Sequence, residues 1–293
     1  MENDRQRVEK ALVASVTTSD AYMTEIASHL ISAGGKRLRP VFTIIGSQVG
    51  NDKVATEEAI AGGVSCELVH LGSLYHDDVM DESDMRRGVE TVNARWGNLQ
   101  AILAGDFLLA KASEIAASLG TEVAALLART IGRLCEGQIE ELRHTYNVAR
   151  TVDSYLDSID GKTAALYSTA ARIGGLVAGH DRAVVDALTA YGTAYGMVFQ
   201  IVDDVLDLTA TDEELGKPAG NDMKEGVYTL PVLHTLAKGG TDADTLKSTL
   251  GKPLTVEERD TVLKIVRTNG GVDVAIEKAR AFVADAERAC DAL

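Results

Sequence analysis

Proline is scarce, with four in 293 residues and none between Pro40 and Pro218. Aromatic residues are only 4% of the chain. A β-sandwich or barrel of this length needs many turns and many β-branched or aromatic strand residues, so both are excluded. Cysteine is confined to Cys66, Cys135 and Cys290, an odd number with no Cys-x-x-Cys pair. That argues against a disulfide scaffold or a cysteine zinc site and fits a reducing, cytoplasmic setting. No run of 18 apolar residues occurs, so no membrane span is predicted. Met1 to Lys10 is charged without an apolar core and does not read as a secretory signal. Positive charge is short too: 29 Lys+Arg against 44 Asp+Glu leave a formal net charge of −15. Nucleic acid and anionic membrane surfaces are therefore poor partners.

What is abundant is hydrophobic residues, at 45%, beside 25% charged. This is a globular composition, and with so few turn and strand formers it predicts an all-α fold. The length suits one domain over residues 1–293. Helical periodicity runs over about Asp4–Ser32 and resumes near Leu38, with Pro40 tolerated in a first turn. Thr56 reads as an N-cap, with Glu57 and Glu58 suited to the positive end of a helix running to about Asp81. Its body, Ala59 to Tyr75, is apolar or small all round, which makes it a buried central helix. Glu82–Glu90 reads as a loop. Further helices are expected over Thr91–Ser118, Thr121–Tyr146, Thr151–Ala178 and Arg182–Leu208, then three or four shorter ones after Pro231. Thr209–Tyr228, with Gly216, Pro218, Gly220 and Gly226, reads as a long polar lid or binding loop.

Two apolar helices end in Asp-Asp-x-x-Asp: Asp77-Asp78-x-x-Asp81 and Asp203-Asp204-x-x-Asp207. Positions i and i+4 share a helical face, so Asp77/Asp81 and Asp203/Asp207 each form a two-carboxylate claw. A helix C-terminus is already partially negative, and each added aspartate is unfavourable there by roughly 0.3–1 kcal/mol. A hard divalent cation offsets this, and oxygen-only sites suit Mg²⁺ bridging to phosphate; a merely solvated acidic helix end is the bland reading. Gly34-Gly35-Lys36-Arg37-Leu38-Arg39-Pro40 sets cations at a glycine turn before a helix, where phosphate can dock. Arg86-Arg87-Gly88 follows the first cluster and could hold an anion or pair with nearby acids. Lys162, in an apolar stretch beside Thr163, needs an anionic partner or a route to water. Lys217 and Lys224 lie in the polar loop, free to close over a ligand or simply be solvated. His70 lies two helical turns before Asp77 and shares its face; Gln200 precedes Asp203 by three residues.

Together these residues resemble the trans-isoprenyl diphosphate synthases, or polyprenyl synthetases. The match runs over nearly the whole chain and includes Glu67–His70, Leu103-Ala104-Gly105-Asp106, Gly137-Gln138, Lys162-Thr163, Phe199–Asp207 and Gly216-Lys217-Pro218. The resemblance implies a single-domain bundle of long helices around a central cavity, and usually a homodimer. It implies three Mg²⁺ on Asp77, Asp81 and Asp203, with Asp78, Asp204 and Asp207 supporting. It implies an allylic diphosphate held also by Arg86, Lys162, Thr163, Gln200 and Lys217, and isopentenyl diphosphate on Lys36, Arg39, His70 and Arg87. One position departs from the family pattern: Val227 stands where many relatives carry another diphosphate-binding lysine.

The growing chain is expected to run along the buried helix past Ser73, Gly72, Val69 and Cys66. Short-chain family members often carry bulky aromatics four or five residues before the first Asp, where this chain has Ser73 and Gly72. An all-trans product longer than C20 is therefore expected, with geranylgeranyl diphosphate as the rival. A terpene cyclase fits less well, because the second aspartate cluster and Gly34–Pro40 have no counterpart there. A non-catalytic subunit of a two-component synthase fits less well too, because it should lack some of these aspartates and arginines.

Overall fold

The computed structural model describes residues 2–50, 54–210, 219–291 and 293. They are helical apart from connections and one very small hairpin. The chain divides into two compact units. One comprises Met1–Ile131, Leu166–Gly192 and Ala292–Leu293; the other comprises Gly132–Ala165 and Thr193–Asp291.

In the first unit, α1 (Glu2–Val16), α2 (Ala21–Ser32) and α3 (Leu38–Gln48) precede α4 (Glu57–Met80). The hairpin β1 (Met85–Arg86) and β2 (Val89–Glu90) follows, then α5 (Val92–Trp96) and α6 (Asn98–Ser118). Helix α4 is the core: Val64, Leu68, Val69 and Leu71 are fully buried, and it packs against α1, α3 and α6. Each such side chain contributes roughly 1.5–3 kcal/mol of burial. Thr56 caps its start by accepting from the Ala59 N–H, as the sequence predicts. Its end is a tight reversal. Glu82 takes a left-handed φ of 49°, and the Ser83 N–H returns to the Asp78 carbonyl at 3.0 Å, which satisfies a carbonyl the helix leaves open.

The second unit takes the C-terminal half of α7 (Thr121–Arg143), then α8 (Val152–Ile159) and a π-helical turn over Asp160–Ala164. Helix α9 (Ala165–Val177) lies almost wholly in the first unit, and the C-terminal half of α10 (Arg182–Thr209) returns to the second. Then come α11 (Asn221–Lys224), α12 (Leu230–Lys238), α13 (Gly240–Thr249), α14 (Val256–Thr268) and α15 (Gly271–Cys290). Its core joins Tyr155, Ile201, Tyr228, Leu233, Leu246 and Val262.

Four boundaries differ from the sequence reading. The expected helix over Asp4–Ser32 is two helices, because Asp20 accepts from the Tyr22 and Met23 N–H groups and starts a new one. Thr91–Ser118 breaks at Gly97, whose φ of 96° a helix does not admit. Glu82–Glu90 contains the hairpin rather than only a loop. Thr151–Ala178 carries the π turn in its middle. Most of the expected polar loop, including Gly216, Lys217 and Pro218, lies outside the described residues.

Candidate active site

The first aspartate cluster closes α4, where the helix turns away and exposes Asp81. Asp78 points inward instead: it is 1% exposed, and Arg86 Nε donates to its Oδ1 at 2.5 Å. Burial raises the Asp78 pKa, with Arg86 pulling the other way. Its second oxygen, Oδ2, is buried without a hydrogen-bond partner. So Asp81 is exposed and Asp77 half-buried at the end of α4, while Asp78 is turned inward and held by Arg86.

Behind α4 lies a nest of cations in the same unit. Arg37 is buried and left-handed, with φ 50°. It donates to Glu9 at 2.7 Å, to Glu67 at 3.2 Å and to the Ile31 carbonyl at 2.8 Å. Arg87, also left-handed at φ 53°, donates to the carbonyls of Leu30 and Gly34. Arg39 lies over the Tyr167 ring, 4.4 Å from its centroid, and its Nε is buried without a hydrogen-bond partner. Burial lowers the Arg87 pKa; Glu67 opposes this, and Arg37, Arg86 and Arg39 add to it. His70 is driven well below its ordinary range, first by burial and then by Arg39, Arg87, Arg86 and Arg37. Four arginines, Arg37, Arg39, Arg86 and Arg87, gathered with two buried carboxylates, Glu67 and Asp78, among them favour an added anion. Of the residues expected here, Arg39, His70 and Arg87 are brought together; Lys36 is exposed on the adjoining turn.

The chain-length positions divide. Cys66 and Val69 are fully buried, and burial pushes the Cys66 thiol up to about 12. Ser73 is half-buried and donates to the His70 carbonyl at 2.9 Å. Gly72 serves helix packing: a Cβ there would stand 3.0 Å from the Gly105 carbonyl oxygen and 3.3 Å from the Leu109 side chain. Tyr75 turns the other way, its hydroxyl donating to the Ile26 carbonyl at 2.8 Å.

The second cluster lies in the other unit. Asp203 is exposed on α10. Asp204 is 4% exposed and held at both oxygens: Tyr155 donates to Oδ2 at 2.6 Å and Gln200 Nε2 to Oδ1 at 2.7 Å. Burial drives its pKa up to about 7, against the pull of those two bonds. Asp207 is buried too, and takes the Asp222 N–H on Oδ2 at 3.3 Å. The equivalent claws of the sequence reading are therefore unequal, since Asp207 is turned toward the chain at 220–222. The π turn presents Lys162, whose ammonium meets Glu141 at 2.7 Å, and Thr163, which donates to Gln200 Oε1 at 2.7 Å. Glycines admit the turn: a Cβ on Gly137 would stand 2.5 Å from the Lys162 nitrogen, and one on Gly196 would stand 2.4 Å from the Ala164 Cα. π turns concentrate at functional sites.

Sequence reasoning missed Glu141, Tyr155, the burial of Arg37 and its pairing with Glu67. The demand of Lys162 for an anion announced Glu141 in kind but not in position. Among the described residues, no three His, Cys, Asp or Glu are gathered to hold an ion by themselves, and no helix is long and apolar enough to cross a membrane.

An all-α fold carrying two aspartate-ended helices and a nest of arginines belongs to the isoprenoid synthase class. The family model described as polyprenyl synthetase matches residues 20–267, and the chain belongs to that family of prenyltransferases. It is 39% identical over 282 residues to a nonaprenyl diphosphate synthase of Mycobacterium tuberculosis, covering 96% of this chain and 84% of that one. A heptaprenyl diphosphate synthase from Staphylococcus aureus superposes with TM-score 0.93 at 33% identity, over 100% of this chain and 92% of that one. A polyprenyl synthase from Caulobacter crescentus, solved with calcium and isoprenyl diphosphate, gives 0.91 at 32% identity, over 98% of this chain and 88% of that one.

Proposed function

We propose that the chain, as one synthase domain, condenses isopentenyl diphosphate head-to-tail with an allylic diphosphate to make an all-trans polyprenyl diphosphate longer than C20. The observation that carries the reading is the nest of Arg39, Arg86 and Arg87 around a neutral His70, in a chain whose net charge is −15. Bulk charge repels anions, so a cation nest of this kind is built for a particular one. Isopentenyl diphosphate binds there, on Lys36, Arg39, His70 and Arg87. The allylic diphosphate is held by Arg86, Lys162, Thr163, Gln200 and Lys217.

The aspartates fit Mg²⁺: they are oxygen donors only, and Asp78 Oδ2 is buried without a hydrogen-bond partner. Asp77, Asp81 and Asp203 would hold the ions, supported by Asp78, Asp204 and Asp207, and three ions are expected. When bound, Mg²⁺ neutralises the diphosphate and makes it a better leaving group. The allylic C–O bond ionises, the isopentenyl double bond attacks the cation to form the new C–C bond, and one proton leaves, taken by the departing diphosphate. Lys162 and Arg86 stabilise the charge that develops on the leaving group. Glu141 is a counter-ion for Lys162 until that charge arrives. No protein nucleophile takes part.

The protein acts as a homodimer, supported by exposed Leu99, Ile102 and Leu103 on α6. It works in the cytoplasm, supported by three cysteines that are all free.

Purified chain alone, incubated with Mg²⁺, labelled isopentenyl diphosphate and allylic primers of several lengths, should release diphosphate and make products beyond C20. No release would sink the enzyme claim, and a product stopping at C20 would make it a geranylgeranyl diphosphate synthase instead.

A further inference from the structure

In the second cluster, Asp204 has both carboxylate oxygens bound to side-chain donors, Tyr155 and Gln200. The chain of bonds continues, because the Gln200 amide turns its oxygen to the Thr163 hydroxyl. An amide has a donor end and an acceptor end, so this network has a single sense. Tyr155 and Thr163 give hydrogens, ionised Asp204 accepts from both sides, and Gln200 is fixed between Asp204 and Thr163 with one N–H still to offer. The members are nearly dry: Tyr155 is 1% exposed, Asp204 4% and Thr163 8%. Arg150, also buried, lies over the Tyr155 ring with Cζ 5.7 Å from its centroid and donates to Ser158 at 2.7 Å. The ring is thereby packed from one side and its hydroxyl directed at Asp204.

We propose that Tyr155 is a positioning residue: its hydroxyl locks Asp204, and through Asp204 sets Gln200 and Thr163, beside Lys162, for the diphosphate. Without the Tyr155 hydroxyl, one buried carboxylate oxygen loses its donor. Asp204 is then free to rotate toward another one, and the amide of Gln200 loses its fixed sense.

This rests on the proposed function, and the test separates the two. The probe is inorganic diphosphate with Mg²⁺, titrated calorimetrically into the full chain. Tyr155→Phe, which keeps the ring packed, should weaken binding about 10-fold. In turnover it should raise the KM for the allylic primer and leave that for isopentenyl diphosphate unchanged. Thr163→Val should weaken binding too, and the double variant should lose little more than either single one, since both break one network. Equal rises in both KM values, multiplying losses, or wild-type affinity in Tyr155→Phe would each overturn the inference. Should Tyr155→Phe fold poorly, Arg150→Met, which loosens the Tyr155 ring from the side Arg150 packs, carries the same test, and wild-type affinity there would equally overturn it. A wild-type chain that binds Mg²⁺-diphosphate yet makes no prenyl product would overturn the proposed function and leave the network to be judged by calorimetry alone.

Discussion

His70 shows how much one side chain's surroundings decide. It lies two turns from Asp77, but its nearest company is cationic: Arg39, Arg87, Arg86 and Arg37, in an interior that already penalises charge. Its pKa is held well below the ordinary 6.5, so it is neutral in the folded chain at neutral pH. The sign for stability follows. Below about pH 6.5 the unfolded chain binds a proton that the folded chain refuses, so folding stability falls as pH falls, by up to about 1.4 kcal/mol per unit. Its contribution is complete above that pH. Urea unfolding at pH 7.5 and 5.5 should show a larger acid loss in the wild type than in His70→Gln. Equal losses would mean the nest does not hold His70 neutral. A neutral His70 donates one hydrogen bond without adding a further charge, which suits a nest where arginines already supply the charge.

At the scale of elements, what could be read ahead is what is encoded locally. Thr56, Glu57 and Glu58 announce the start of α4, and the i, i+4 spacing of Asp77 and Asp81 places both on one face at its end. The same rule places the second cluster, but its inequality is not legible in the sequence, because Asp207 is drawn in by the Asp222 N–H, fifteen residues further along the chain. The π turn was equally hidden. The glycines that admit it, Gly137 and Gly196, lie on two other helices, and no single-segment periodicity registers them. Nothing in the sequence singles out Tyr155; its role rests on the hydroxyl standing 2.6 Å from Asp204. Gly72 looked like open room and is instead helix contact, with the Gly105 carbonyl 3.0 Å from where a Cβ would be. Enlarging it moves backbone, so it is a poor place to probe product length. Ser73 is the better one: half-buried, one turn before Asp77, and bonded only to its own helix. Ser73→Phe should shorten the product by one or more five-carbon units on reversed-phase chromatography with diphosphate binding retained. An unchanged product distribution would remove the face of Ser73, Val69 and Cys66 from the path of the growing chain.

For the whole molecule the puzzle is charge and apolar surface together. The formal charge of −15 is partly the chemistry itself, since six of the acids form the two clusters and three Mg²⁺ would cancel their formal charge. The rest keeps like molecules apart in solution, so any self-association must rest on a local apolar patch. Leu99, Ile102 and Leu103 supply one. They are 74%, 41% and 66% exposed, and their i, i+3 and i+4 spacing puts them on one face of α6. An apolar face of this kind on a folded chain marks a contact site, and a two-fold axis through it would let the patch meet its own copy. In that dimer two α6 helices bury leucine against leucine. A carboxylate there would meet its symmetry mate in a dry interface without a cation to pair it. Light scattering of the wild type should therefore give about twice 31.1 kDa, and the double variant Leu99→Glu, Leu103→Glu should give the single mass at the same concentration. The variant's helix content by circular dichroism should stay unchanged, because neither side chain contributes to the buried core. A monomeric wild type, or a variant that remains dimeric, would take the interface away from α6.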